Sequence, residues 1–202
     1  MSDCSSPSVL VFAGHMLDSP TRARPRFPPE MEETVRNLIS NELITKNGTI
    51  AYAAAASGSD ILFLEQMLAL GGEINIVLPF HIVDFKKLSV QAAGISWLER
   101  FDRLLAQATS VQIVGTYNPT TFRSTLDSCN LRLCELAKAR AATENLQLFG
   151  LAVLDSTQSG HKPGGTAAML ALWQEQLISY SCIYLDRLSG RKDSIGNRRK
   201  EA

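Results

Sequence analysis

The chain has 202 residues, 45% of them hydrophobic, with 20 lysines and arginines against 20 aspartates and glutamates. That length supports one good core and is short for two. The zero net charge excludes broad electrostatic attraction to nucleic acid or to anionic lipid, leaving room only for a local basic cluster.

The elements alternate from end to end. Val9 to Ala13 is a short apolar run ending at Gly14, as a strand buried on both faces reads. A polar loop follows to Pro28, then a helix from Pro29, whose acidic first turn (Glu30, Glu32, Glu33) suits the positive helix end. Thr49 to Ala56 is the second strand; Ser57 to Asp60 turn and cap into an apolar helix running to about Leu70, which Gly71 and Gly72 stop. Ile74 to Leu78 is the third strand, closed by Pro79 and followed by a less regular stretch. An amphipathic helix around Trp97 to Ala108 leads to a fourth strand, Val111 to Val114, ending at Gly115. Phe122 to Ala142 reads as a long helix, Leu146 to Leu154 as a fifth strand, Gly164 to Trp173 as a helix with its opening turn, and Cys182 to Leu185 as a sixth strand.

This order predicts an α/β, Rossmann-like three-layer sandwich with a mostly parallel sheet of six or more strands. Residues 9–185 form the single domain, with residues 1–8 and the polar tail 186–202 expected to be disordered. Met1 to Ser8 carry no secretory pattern, and no apolar stretch reaches the roughly 20 residues that span a bilayer. Cys4, Cys129, Cys134 and Cys182 show neither paired nor zinc-type spacing. A soluble cytoplasmic protein is expected, with reduced thiols and neither metal nor cofactor.

Ligands of such sheets sit at the carboxyl ends of the strands, where strand order reverses. Four loops qualify. Gly14 and His15 end the first strand, with Arg22, Arg24 and Arg26 behind them, and arginine forks match phosphate oxygens. Ser57, Gly58, Ser59 and Asp60 open a helix whose free amides suit an anion, although one of them could serve only as its cap. Gly115 and Thr116 would face the Gly14 loop across the switch point. Gly164, Gly165 and Thr166 offer a further helix start, with Thr166 as a plain N-cap the competing reading.

Glu65 stands alone on an otherwise apolar helix, either aimed at the cleft or salt-bridged. The surplus apolar faces of Ile61 to Leu70 predict a second packing partner. No G-x-S-x-G elbow, Walker lysine or G-x-G-x-x-G turn is present, which weighs against lipases, nucleoside triphosphatases and ordinary dehydrogenases.

The stretch from Thr49 to Phe80 resembles the lonely-guy family: a small-residue turn with Gly58-Ser59-Asp60, an apolar helix, Gly71-Gly72, a strand and Pro79. More broadly, residues 9 to 185 resemble the SLOG superfamily, which includes DNA-processing protein A. The GHM-x-D start, the PRFP segment, the GSDILF-x-E helix and the late PGGT are similar to a SLOG branch attached to bacterial signalling proteins. This resemblance implies a nucleotide-derived ligand, often with a homodimer through the helix here spanning Ile61 to Leu70. Lonely-guy enzymes release a base from a nucleoside monophosphate and carry PGG-x-GT and a glutamate after strand four. Here that place reads VGTYNPTT, and the PGGT after strand five is followed by Ala167, Ala168 and Met169 with no acid.

A nucleotide-sensing module is therefore the expected function. The alternative is a nucleotide N-glycosidase or phosphoribohydrolase using Glu65 or Asp60 as its acid, and a ligand-free scaffold is the third reading.

Overall fold

The computed structural model describes residues 6–19, 21–157 and 165–188. Six parallel strands form one sheet: β1 (Ser8–Gly14), β2 (Gly48–Ala53), β3 (Glu73–Leu78), β4 (Ser110–Ile113), β5 (Gln147–Leu154) and β6 (Ser179–Tyr184). Their spatial order is β4-β3-β2-β1-β5-β6. The chain walks outward from β1 to β4, returns, and continues on the other side of β1. In register, Leu10 lies beside Ala51 of β2 and Phe149 of β5.

Side-chain alternation along the strands divides the core in two. Leu10, Phe12, Ala51, Ala53, Ile74 and Ile76 pack with α1 (Glu32–Thr45), α2 (Ser59–Ala69), α3 (Ile82–Ser89) and α4 (Ile95–Gln107) on one face. Val9, Val11, Ile50, Tyr52 and Val77 pack with α5 (Phe122–Glu144) and α6 (Thr166–Glu175) on the other. A parallel sheet covered on both faces needs such continuous apolar strands. The 23 residues of α5 make a helix about 35 Å long, which brings the chain back from the edge strand β4 to pair β5 with β1. No helix among the described residues is long and apolar enough to cross a membrane.

Several boundaries differ from the sequence reading. The second strand stops at Ala53 instead of Ala56, because Ala55 is left-handed (φ 65°) and turns the chain out of the sheet. The stretch read as less regular holds α3, only eight residues long and thus poor in periodicity. A 3-10 turn, Pro29–Met31, precedes α1. The sixth strand begins at Ser179, ahead of Cys182, and residues 185–188 form the short helix α7 where a polar tail was expected from Asp186. Residues 1–5 and 189–202 of the expected termini lie outside the described residues.

The surplus apolar faces of α2 are consumed inside the monomer. This helix lies against the sheet and between α1 and α4. Phe63 and Met67 have no exposed surface, and Phe63 stacks on Phe12 with ring centroids 4.4 Å apart. For these side chains the second partner predicted is thus intramolecular, and of the helix expected to carry the dimer, Ile61 to Leu70, only Leu70 is an exposed large hydrophobic residue.

Glu65 belongs to the same packing. Its carboxylate takes Arg100 Nε at 2.8 Å and Nη2 at 2.6 Å, with Arg36 Nη1 at 3.4 Å. Arg100 also reaches Glu32 at 2.9 Å and lies 3.8 Å over the Trp97 ring. Two carboxylates and two guanidinium groups thereby tie α1, α2 and α4 together. Arg100→Met removes the shared cation and leaves Glu32 and Glu65 short of a partner. We expect a loss of about 1–3 kcal/mol in denaturant unfolding, partly recovered when Glu65→Met is added, since the orphaned carboxylate is then gone.

Candidate functional site

The loops at the carboxyl end of the sheet enclose a cleft of about 390 Å³ at the β1/β5 reversal. That is the size of a small-molecule site. Its floor is the end of β1 (Ala13, Gly14), the turn after β2 (Ala54, Ala56) and the end of β5 (Leu154, Asp155). One wall is apolar, from Phe85 and Leu88 of α3 and Phe122, Leu126, Cys129 and Leu133 of α5. Polar groups come from His15, Arg26, Asp155 and the opening of α6, Gly165 to Ala167, and also from Asp60, Ser89 and Asn130.

Gly14 does not serve the cleft alone. A Cβ on it would lie 2.0 Å from Ser59 Oγ, so glycine is required by the start of α2 pressing on the end of β1. Ser59 N–H and Oγ both donate to the His15 carbonyl, at 3.2 and 2.8 Å. Gly58 is left-handed (φ 97°), forms a bridge with Met16, and would place a Cβ 2.4 Å from Leu17 N. Leu17 N–H donates to the Ser57 carbonyl at 3.1 Å. Ser57, Gly58 and Ser59 therefore knit the β1 loop to α2 and do not line the cleft. Only Asp60 of that turn does.

The arginines separate in the same way. Asp18 is buried; its Oδ2 accepts the N–H groups of Arg26 and Phe27 at 2.6 and 2.7 Å, while Oδ1 lies 3.1 Å from Arg22 Nε. Phe27, fully buried, anchors the loop. This clasp carries Arg26 to the cleft, ties Arg22 to Asp18, and leaves Arg24 exposed. Burial and the charge of Arg22 push the Arg26 pKa down. Gly115 and Thr116 follow the edge strand β4, beyond β2 and β3, and Gly115 N–H donates to the Pro79 carbonyl at 3.2 Å. They do not line the cleft; the loop facing Gly14 across the reversal is the one after β5. Gly165 and Thr166 do line it, and Gly164 lies outside the described residues.

His15 lines the cleft with its Nε2 accepting the Asp155 N–H at 3.3 Å and its Nδ1 3.5 Å from Thr166 Oγ1. Burial and then the Arg26 charge lower its pKa to about 4. The ring is neutral, with the proton on Nδ1. Asp60 moves the other way. It accepts the N–H of Ala56 at 3.2 Å and that of Gly14, yet burial without a compensating cation raises its pKa to about 7. The Cys129 thiol donates to the Val77 carbonyl at 3.3 Å, and burial raises it to about 12, so it is no nucleophile. Glu65, on the far side of α2, is not in the cleft.

Sequence reasoning missed Asp155, the clasp of Asp18, and the apolar wall. An acid at the carboxyl end of β5 was a visible signal, as was the stripe of Phe122, Leu126, Cys129 and Leu133 along one helix face.

With this geometry in view, the chain was compared with known proteins. No protein-family model and no curated protein sequence matches it. Among solved structures it is similar in fold to DNA processing protein A. The Streptococcus pneumoniae protein is 16% identical, with 92% of this chain and 62% of that one covered and a TM-score of 0.36; this chain spans about three fifths of that protein. The structural-genomics target TM1055 is 10% identical over 90% of this chain and 96% of its own, with a TM-score of 0.42. DNA processing protein A of Helicobacter pylori, described in a single-stranded DNA binding mode, is 15% identical over 90% and 78%, with a TM-score of 0.28.

The two shifted groups give opposite pH slopes. His15 is destabilising only when charged, so its contribution is fully present above about pH 6.5 and is lost as pH falls toward 4. Asp60 is destabilising only when ionised, so stability falls as pH rises from its ordinary 3.8 toward 7. In melting temperatures taken from pH 4 to 8, His15→Gln should flatten the acid-side decline and Asp60→Asn the decline toward neutrality. An Asp60→Asn profile parallel to the parent between pH 5 and 7 would mean that Asp60 titrates normally.

Proposed function

We propose that the cleft binds a nucleotide or nucleotide-derived ligand and that the protein is a sensing module for it. The observation that carries this reading is the polarity of one cleft. Arg26 and the amides opening α6 come from the loops after β1 and β5, and the aromatic rings of Phe85 and Phe122 from the elements after β3 and β4. A phosphate meets the first and a base the second. In α6 the intrahelical bonds begin with the N–H groups of Ala168 and Met169 on the Gly165 carbonyl. The preceding amides of Gly165, Thr166 and Ala167 are those that an anion at a helix start uses.

The second reading, a nucleotide N-glycosidase, is favoured by one feature: Asp60, raised to about 7, is an acid inside the cleft. Catalysis also needs a base placed to activate water. His15 is engaged at both ring nitrogens, Asp155 Oδ1 accepts the Thr157 N–H and hydroxyl, and Cys129 is inert. The ligand is expected to remain intact.

A charge-assisted hydrogen bond contributes roughly 1.5–3 kcal/mol net, so a nucleoside should bind about tenfold to a hundredfold more weakly than its 5′-monophosphate. Arg26→Ala should narrow that gap. Gly165 is extended (φ −91°, ψ 177°), so Gly165→Val keeps the backbone and blocks approach to it. We expect it to lose affinity with little change in melting temperature. Calorimetric titration checks all three, and equal affinity for nucleoside and nucleotide removes the phosphate assignment. Free base accumulating on incubation with a nucleoside monophosphate, and not with Asp60→Asn, would favour the glycosidase.

A further inference from the structure

Asp60 is 7% exposed and lines the cleft, on the side of Ala54 and Ala56. Its known partners are two backbone amides, Ala56 N–H at 3.2 Å and Gly14 N–H. A carboxylate has about four acceptor sites, so roughly half of its capacity is left over. Among the described residues no lysine or arginine pairs with it. The cleft's arginine, Arg26, has Asp18, Asp155 and Arg22 as its charged neighbours instead. Neither amide belongs to α2, whose N-cap Gly58 makes no side-chain hydrogen bond, so helix capping does not account for a carboxylate at this place; paired donors entering from the cleft would use its remaining acceptor sites.

We propose that Asp60 is the residue by which the cleft selects its ligand, accepting paired N–H or O–H groups of the bound nucleotide. The inference rests on the nucleotide reading above. The cleft then has two poles, an anion pole at Arg26 and α6 and an acceptor pole at Asp60, which together orient a ligand carrying a phosphate at one end and donors at the other. The donors belong either to the edge of the base or to the ribose hydroxyls, and the two sources are separable.

The test is calorimetric titration of the parent protein and Asp60→Asn with adenosine and guanosine 5′-monophosphates. Three analogues accompany them: purine riboside 5′-monophosphate and inosine 5′-monophosphate, each lacking the exocyclic amine, and 2′-deoxyguanosine 5′-monophosphate, lacking one ribose hydroxyl. In the parent, removing the donors should weaken binding at least about tenfold in one of the two sets, which names the source. Asp60→Asn should erase that preference while retaining the gap between nucleoside and nucleotide. A parent that distinguishes the analogues by less than threefold overturns the assignment, even where the variant fails to fold. So does a folded Asp60→Asn that keeps the parent's preference. If the parent binds no nucleotide at all, the nucleotide reading fails and this inference fails with it.

Discussion

The structure depends on β1 being the strand from which the chain departs both ways. β2 lies on one side of it and β5 on the other, so the loops leaving their carboxyl ends diverge and leave a gap. Half of that gap is closed at once. The first turn of α2 presses on the end of β1 so tightly that residue 14 has no room for a side chain, and Ser59 returns two hydrogen bonds to the His15 carbonyl. The opening is thereby displaced toward β5. This is why the start of α6 faces the cleft and most of the α2 turn does not, although both read alike in the sequence as small residues before a helix.

The sheet and its helices were legible because each strand is a short apolar run bounded by glycine, proline or polar residues, and because both faces are covered. Leu10 and Val11 point to different helical layers, so neither position could be polar. The failures have physical causes. Ala55 takes a left-handed backbone conformation that costs an ordinary residue about 1–2 kcal/mol, and four alanines in a row give no hint of where the strand must break. Helix α3 has eight residues, barely two turns of pattern. The apolar excess of α2 was read as a demand for a second partner, which α1 and α4 supply within the chain; one sequence does not reveal that they flank it. Glu65 follows from the same geometry: a carboxylate between two helices that each bring an arginine is held there, away from the chemistry of the cleft.

Within the site, composition named the residues more readily than their work. Gly14 reads as room for a ligand and is room for Ser59. Asp18 reads as one more polar loop residue and is the clasp that brings Arg26 inward, so that of three alternating arginines only Arg26 lines the cleft. Residues separated by 140 positions meet in the His15–Asp155 contact, and only the parallel pairing of β1 with β5 brings them together.

The electrostatics of the cleft follow from that placement. Among the described residues its carboxylates are Asp60 and Asp155 and its cation is Arg26, and burial and Arg26 both oppose protonation of His15. The described lining therefore carries no surplus of fixed positive charge. What remains for an anion is directional: amides at a helix start, whose dipoles are set by the fold and need no counter-charge. Under the proposed nucleotide reading, the described lining suits a ligand with few negative charges and correctly placed donors better than one that merely carries many phosphates. Each further phosphate would meet Asp155 or Asp60 at close range in a partly apolar cavity, where like charges repel more strongly than in water. The absence of net charge over the whole chain points the same way. What the described lining offers such a ligand is hydrogen-bond geometry, and the residue whose geometry is least explained by the fold alone is Asp60.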